Sequence, residues 1–167
     1  EVQTGNGRTG RLYSYMNYGI TPDIVTTAKG LGGGLPIGAT LLSKKVENIF
    51  EFGDHGSTFG GNPVCCAGAY NVISRLDEEF LSEVTRKGKM LVGALSGSPG
   101  IEDITGMGLM LGLKTKRVAA DVIKQCINDG VLCLSAKDRV RLLPPLNTPD
   151  SLLLRAAEII KNACKGE

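Results

Sequence analysis

The chain has 167 residues, 42% of them apolar, which is enough for one sizeable domain or two small ones with a real core. The net charge is +2, and the charged residues are spread along the chain without a block of like charges. This distribution argues against a nucleic-acid or membrane surface and favours a small-molecule partner. Five cysteines without C-x-x-C spacing favour packed, reduced thiols over disulfides or a zinc site. Since there is neither a signal-peptide layout nor a membrane-length apolar run, the sequence predicts a cytoplasmic protein.

Short apolar runs separated by glycine-rich turns make up the first part of the chain. Residues 24–28 and 37–42 are predicted to be buried strands bounded by chain-breaking residues, a pattern typical of α/β architecture. Asn62 and Pro63 then predict the start of a helix, with asparagine as the cap and proline at the first helical position. Small residues from 65 to 69 predict that this helix is buried.

A charged stretch at residues 76–79 marks the predicted boundary between two domains. We assign residues 1–76 to a large α/β domain and residues 77–167 to a smaller α+β domain. The second domain should open with an amphipathic helix that is interrupted at residues 87–89 and has one apolar face, formed by Phe80, Val84, Leu91 and Leu95.

The rest of the second domain is predicted to alternate between strands and helices. After a loop at residues 96–100 we expect a helix at 118–128 and three strands, at 107–113, 131–134 and 140–143. A last helix should begin with Thr148 as cap, Pro149 at the first position and Asp150 in the first turn. Its apolar face is predicted to contain Leu152, Ala156, Ile159 and Ala163.

Lys29 follows the first apolar run and precedes glycines at positions 30, 32, 33 and 34. A lysine at the end of a buried strand favours its neutral form, which is a nucleophile able to form a Schiff base with a carbonyl. An ordinary lysine that reaches solvent is the alternative, but the glycines leave space for a flat or bulky group, although glycine also simply makes turns. A nucleotide-binding P-loop is excluded because this lysine precedes the glycines.

Two further segments offer groups that could bind anions. Ser57 and Thr58 supply hydroxyls in a glycine-flanked loop whose backbone amides can face an anion, although such loops are more often simple turns. Arg139 and Arg141 alternate on one strand face, so either could bind a carboxylate, with a solvated strand face as the alternative. His55, the single histidine, is interpreted as structural or as lying at the site entrance.

Four segments of the chain together resemble one known family. Their order and approximate spacing match class III, fold-type I, pyridoxal-phosphate-dependent aminotransferases: EVQTGNGRTG, PDIVTTAKGLGGGLPIGA, GDHGSTFGGNP and RLLPPL. The resemblance covers essentially the whole chain. It implies the C-terminal part of such a fold, in which residues 1–76 belong to the large PLP-binding domain and residues 77–167 form the small C-terminal α+β domain.

The resemblance implies cofactor-binding roles for five residues. Lys29 would be the catalytic lysine, which carries pyridoxal phosphate and moves the proton between carbon atoms. Val2 would lie against the cofactor ring and Gln3 near its phenolic oxygen, with an ordinary strand end as the alternative for both. Thr58, with Ser57 beside it, would bind the phosphate of a cofactor held mainly by the other subunit, so a homodimer with shared active sites is expected.

The resemblance also implies the reaction. Arg141, in the pattern R-x-x-P-P, would bind the substrate α-carboxylate. An amino group would pass from N-acetylornithine to 2-oxoglutarate through a Schiff base with the cofactor, in arginine biosynthesis, with ornithine, 4-aminobutyrate or succinylornithine as alternative donors. Because the chain begins just after the family's ring-nitrogen aspartate, we expect these residues alone to be an inactive fragment. A non-catalytic fragment that completes another chain is the remaining alternative.

Overall fold

The structure is a computed structural model that describes residues 1–166. The chain divides into two compact units, of which the first is Glu1–Leu81 and the second begins at Ser82. Among the described residues, no helix is both long enough and apolar enough to cross a membrane. All five cysteines are free thiols, and all but Cys66 are buried, which confirms the prediction of packed, reduced cysteines.

The first unit contains a two-stranded antiparallel sheet and one long helix. Strand β1 (Ile24–Thr27) pairs with strand β2 (Ala39–Leu42). Helix α1 (Pro63–Ser74) begins as predicted, because the Asn62 side chain accepts hydrogen bonds of 3.0 and 3.2 Å from two backbone N–H groups of the first turn. Three short 3₁₀ helices complete the unit: Ser14–Tyr18, Lys29–Gly32 and Lys44–Val46.

The elements of the first unit are more exposed than the sequence predicts. Only Thr27 of β1 is buried, β2 has no buried residue, and α1 buries only Cys65 and Ala69. The predictions of buried strands at 24–28 and 37–42, and of a buried helix after them, are therefore wrong for this chain. The physical reason is that β1 and β2 pair only with each other within the described residues, and a lone pair of strands covers little apolar surface.

Small residues let the glycine-rich segment after β1 lie close against α1. A Cβ added at Gly68 of α1 would lie 2.6 Å from Leu35 Cδ1 and 3.3 Å from the Gly32 carbonyl oxygen. Such a separation is too short for a side chain, so glycine at this position permits the approach. The helix thus supports the segment that follows Lys29.

The second unit is built on a four-stranded antiparallel sheet with the order β3-β4-β6-β5. Its strands are β3 (Ile101–Met107), β4 (Met110–Thr115), β5 (Leu134–Ala136) and β6 (Arg139–Leu142). Three helices accompany them: α2 (Glu78–Leu95), α3 (Ala119–Asn128) and α4 (Asp150–Lys165). The core of the unit includes fully buried side chains from the helices and the sheet: Val84, Leu95, Leu113, Val122, Val140 and Ile160.

Two of the predicted strands differ from those in the structure. The segment predicted as one strand at 107–113 is instead a hairpin that joins β3 to β4. Gly108, between the two strands, adopts a φ of +54°, which lies outside the range of an extended strand. The strand predicted at 131–134 is also wrong, since only its last residue belongs to β5.

The predicted face of the last helix is one position out of phase at Leu152, Ala156 and Ile159, whereas Ala163 is buried as predicted. The buried residues of α4 are Leu153, Ala157, Ile160, Ala163 and Cys164, whereas Leu152 is 53% exposed. Three consecutive leucines begin this helix, so the apolar pattern alone does not fix its phase. The predicted Thr148 cap is also wrong, because the N-cap residue is Pro149 and no side chain caps this helix. The Thr148 hydroxyl instead donates to the Pro145 carbonyl at 2.8 Å.

Helix α2 has the predicted amphipathic face but not the predicted interruption. Val84, Leu91 and Leu95 are buried, and Phe80 is half-buried. The helix runs without a break through Gly88, which is itself buried. The loop at 96–100, the helix near 118–128 and the strand near 140–143 lie close to where they were predicted.

Candidate functional site

Lys29 lies at the junction between β1 and the 3₁₀ helix Lys29–Gly32. Its backbone φ is +50°, in the left-handed region that residues other than glycine seldom adopt. The residue is exposed, so the prediction that it ends a buried strand is wrong for this chain. What the structure presents instead is a primary amine that an approaching molecule can reach.

Asn6 joins the N-terminal segment to the strand end that leads into Lys29. Its side-chain amide donates hydrogen bonds to Thr27 Oγ1 at 3.0 Å and to the Ala28 carbonyl oxygen at 3.1 Å. Asn6 and Thr27 are both buried, with 7% and 2% of their surface exposed. These bonds connect residues 21 and 22 positions apart, so they fix the lysine turn against the first ten residues.

Glu1 anchors the same N-terminal segment. Its carboxylate accepts hydrogen bonds from the Ser14 and Tyr15 backbone amides, both at 3.0 Å, and from the Thr4 hydroxyl at 2.8 Å. Desolvation raises the pKa of Glu1, but hydrogen bonds from Ser14, Thr4 and Tyr15 outweigh it and hold the pKa below its ordinary value. An ionised carboxylate therefore fixes the start of this segment.

Val2 and Gln3 follow Glu1 in a turn, and both residues are exposed. The ordinary strand end considered as an alternative is therefore not what the structure contains. Both lie on the segment that Asn6 ties to the Lys29 turn. Asn6 thus connects the segment that carries Val2 and Gln3 to the turn that carries Lys29.

The glycines after Lys29 serve two different purposes. A Cβ at Gly32 would lie 2.8 Å from Ile37 Cγ2, and one at Gly33 would lie 3.0 Å from Val72 Cγ2, so packing occupies both positions. At Gly34, by contrast, φ is +109° and no heavy atom lies within 4 Å of an added Cβ. The space for a ligand that the sequence predicts therefore fits Gly34 rather than Gly32 or Gly33.

Ser57 and Thr58 lie on a different segment of the first unit, in an exposed loop. The loop also carries Phe59, which is 83% exposed. His55 stands beside them and makes an edge contact with the Phe50 ring, with centroids 5.1 Å apart. The two hydroxyls are thus accessible to a bound molecule or to another chain.

Arg139 and Arg141 share one face of β6, as their alternation predicts, because Val140 and Leu142 are the buried residues of that strand. Arg139 forms an ion pair with Asp103 on β3 at 2.8 Å. It also donates a 3.5 Å hydrogen bond to a carbonyl oxygen of β4. Arg139 is therefore engaged in holding the sheet together, which weakens it as a candidate for binding a substrate carboxylate.

Sequence reasoning missed Asn6 and Glu1. The partners of Asn6 lie 21 and 22 positions away, and those of Glu1, apart from Thr4, lie 13 and 14 positions away, so no local pattern predicts them. One signal for Asn6 was available. Asparagine tolerates left-handed backbone better than most residues, and Asn6, which precedes a glycine, has a φ of +54°.

Comparisons with known proteins agree on one family. The model for "Aminotransferase class-III" matches residues 1–164. The acetylornithine aminotransferase of Haemophilus ducreyi is 50% identical over 162 residues, which is 96% of this chain and 41% of that protein. The solved ornithine delta-aminotransferase of Plasmodium falciparum has a TM-score of 0.87 at 33% identity, covering 99% of this chain and 46% of that one.

A second solved structure gives a similar result. The N-acetylornithine aminotransferase of Stenotrophomonas maltophilia has a TM-score of 0.86 at 32% identity and covers 98% of this chain. The match covers 45% of that protein's chain. The chain thus spans less than half the length of these relatives.

Proposed function

The chain belongs to the class-III aminotransferase family, and from this premise we propose that it carries the cofactor-binding lysine, Lys29, of a pyridoxal-phosphate-dependent transaminase. Its mixed α/β fold is that of the C-terminal part of a fold-type I aminotransferase. The observation that carries the proposal is the Lys29 turn. It presents an exposed primary amine on a left-handed backbone that hydrogen bonds fix to the N-terminal segment.

The residues of this turn fit pyridoxal phosphate. An aldehyde cofactor needs an amine that it can reach, and Lys29 is exposed. In the glycine segment that follows, Gly34 leaves open space where a side chain would be. Val2 offers an apolar surface for a ring, and Gln3 offers a polar side chain on the same bonded segment. When bound, the cofactor supplies an electron sink that allows an amino group to be exchanged for a keto oxygen.

The chain's own residues would then bind, orient and transfer protons. Lys29 Nζ would hold the cofactor, and as the free amine it would move the proton between carbon centres. The Arg141 guanidinium binds the substrate α-carboxylate through two parallel N–H donors, which orients the bond to be broken. Arg141 lies on β6 of the second unit, within the R-x-x-P-P pattern.

Thr58 and Ser57 would bind the phosphate of the cofactor of a second subunit. Their exposed, glycine-flanked loop supports this assignment, since hydroxyl and backbone N–H donors there can reach another chain. The enzyme would accordingly be a cytoplasmic homodimer with shared active sites. Residues 1–76 would belong to its large domain and residues 77–167 to its small domain.

The preferred reaction is transfer of the amino group of N-acetylornithine to 2-oxoglutarate, as a step of arginine biosynthesis. The 50% identity to the acetylornithine aminotransferase of H. ducreyi supports this choice. Ornithine is the second candidate donor, because the ornithine delta-aminotransferase of P. falciparum has a closely similar fold. 4-Aminobutyrate and succinylornithine complete the set to be tested.

Glutamate formation by the full-length protein tests the proposal. The protein is supplied with pyridoxal phosphate, 2-oxoglutarate and each of the four donors in turn, and kcat/KM is measured for each. We expect N-acetylornithine to have the highest value, and a Lys29→Arg variant, which keeps the charge, to show no turnover. A higher value for ornithine would favour the second candidate, and no glutamate from any donor would contradict the proposal.

A further inference from the structure

Asn6 is a buried polar residue that packing alone does not explain. It is 7% exposed, its φ is +54°, and its Oδ1 accepts no hydrogen bond within the described residues. A buried acceptor without a donor destabilises a protein, and an apolar residue of similar size would avoid that cost. The side-chain amide is therefore explained by the two hydrogen bonds that it donates, to Thr27 and to Ala28.

The orientation of the Asn6 amide is fixed by its neighbours. Its Nδ2 lies 3.0 Å from Thr27 Oγ1 and 3.1 Å from the Ala28 carbonyl oxygen. A carbonyl oxygen can only accept, so the nitrogen rather than the oxygen of Asn6 must face Ala28. The bond to Ala28 is thus the contact that determines which way this side chain points.

The Ala28 carbonyl receives a second hydrogen bond, from the backbone N–H of Leu31 at 3.1 Å. Both lone pairs of that oxygen are therefore occupied, and the peptide between Ala28 and Lys29 is held in one orientation. The φ angle of Lys29 describes rotation about its N–Cα bond, which directly follows this peptide. The Asn6 side chain and the Leu31 N–H, by holding the peptide, therefore support the left-handed φ of +50° at Lys29. That value sets the direction in which the lysine side chain leaves the backbone.

We propose that Asn6 is a positioning residue for Lys29, which holds the Ala28–Lys29 peptide so that Nζ meets the aldehyde carbon of bound pyridoxal phosphate. The inference rests on the proposed function of Lys29. Asn6 touches neither substrate nor cofactor in this account. It acts only through the backbone of the residue that does.

The test compares three variants of the full-length protein. Asn6→Asp keeps the size and the tolerance for left-handed backbone but replaces both donors with acceptors. Asn6→Gly keeps the backbone freedom and removes the side chain. Thr27→Val is the matched control, because it removes the hydroxyl partner of Asn6 but leaves the Ala28 bond available.

Two quantities are measured on each variant with pyridoxal phosphate as the probe. The dissociation constant is obtained from non-covalent binding at early times, and the rate of attachment is obtained by borohydride quenching and mass spectrometry of the Lys29 peptide. Displacing Lys29 Nζ should slow covalent attachment without weakening non-covalent binding of pyridoxal phosphate. The rate of attachment in both Asn6 variants should therefore fall by about 10- to 100-fold. Their dissociation constants, and both quantities in Thr27→Val, should stay within about threefold of wild type.

The outcomes separate this inference from the proposed function. If the wild-type protein is not labelled at Lys29, the proposed function fails and the inference fails with it. If wild type is labelled and the Asn6 variants attach at its rate, positioning by Asn6 is wrong while the function stands. Equal losses of rate in Thr27→Val and in the Asn6 variants would also overturn it, since they would indicate a general loss of structure. If Asn6→Asp does not fold, Asn6→Gly decides by the same criteria.

Discussion

Gly88 should be a position in α2 where alanine is destabilising, although alanine is the better helix former. In an ordinary helix interior, replacing glycine with alanine stabilises by about 0.5–1 kcal/mol. At Gly88 an added Cβ would lie 2.7 Å from the carbonyl carbon of Gly108 and 2.9 Å from its Cα. These are backbone atoms that no rotamer change can move away, so the helix and the β3–β4 hairpin must separate. Overpacking of this kind costs about 1–3 kcal/mol, so we expect Gly88→Ala to lower the free energy of unfolding by about 1–2 kcal/mol.

Gly93 provides the matched control on the same helix. No heavy atom lies within 4 Å of a Cβ at Gly93, so Gly93→Ala should raise the free energy of unfolding by about 0.5–1 kcal/mol. Since both substitutions change helix propensity alike, their difference isolates the contact with Gly108. Urea unfolding followed by circular dichroism measures both values. A Gly88→Ala protein as stable as Gly93→Ala would refute the reasoning.

Three further predictions concern the charged and thiol groups. Arg141→Ala should lose about 2–5 kcal/mol of transition-state binding, measured as kcat/KM for the amino donor and for 2-oxoglutarate. Arg139→Ala should lose less, and unchanged kcat/KM values for Arg141→Ala would contradict the role of Arg141 in binding the substrate carboxylate. Because the folded-state pKa of Glu1 is lowered, its stabilisation is present above its unfolded pKa and is lost as pH falls through the folded value. Glu1→Gln should therefore lower the unfolding midpoint more at pH 7 than at pH 3, and equal losses would count against the hydrogen-bonded carboxylate. Burial raises the pKa of Cys164 to about 11, so at pH 8 its thiol stays protonated and should react with iodoacetamide more slowly than exposed Cys66, as peptide mapping would determine.

Features fixed by neighbouring residues could be predicted from the sequence. The Asn62 cap is correct because its hydrogen bonds reach only two and three residues ahead. The shared face of Arg139 and Arg141 is correct because alternation in a strand is a local property.

Features that depend on distant partners could not be predicted in the same way. The apolar run that became β1 gives no sign of how much surface a second layer covers, so its predicted burial was wrong. The phase of α4 was wrong because three successive leucines satisfy more than one helical face, and packing decides among them. Gly88 was taken as a break in α2, whereas its contact with a residue 20 positions away explains it.

The candidate site also combines features that the local sequence predicts with features that depend on distant residues. Lys29 was proposed as a candidate from its position between an apolar run and a series of glycines, a local pattern, and from the family resemblance. The environment predicted for it was wrong, because the lysine is exposed rather than buried. The contacts that support its backbone come from Asn6, far away in sequence, and only the structure reveals them.

The most direct test of the account is to determine which lysine carries the cofactor. The full-length protein is incubated with pyridoxal phosphate, reduced with borohydride, digested and mapped by mass spectrometry. The account predicts a pyridoxyl group on the peptide that contains Lys29, and no label on that peptide in Lys29→Arg. Stoichiometric labelling of another lysine, with the Lys29 peptide unmodified, would contradict it.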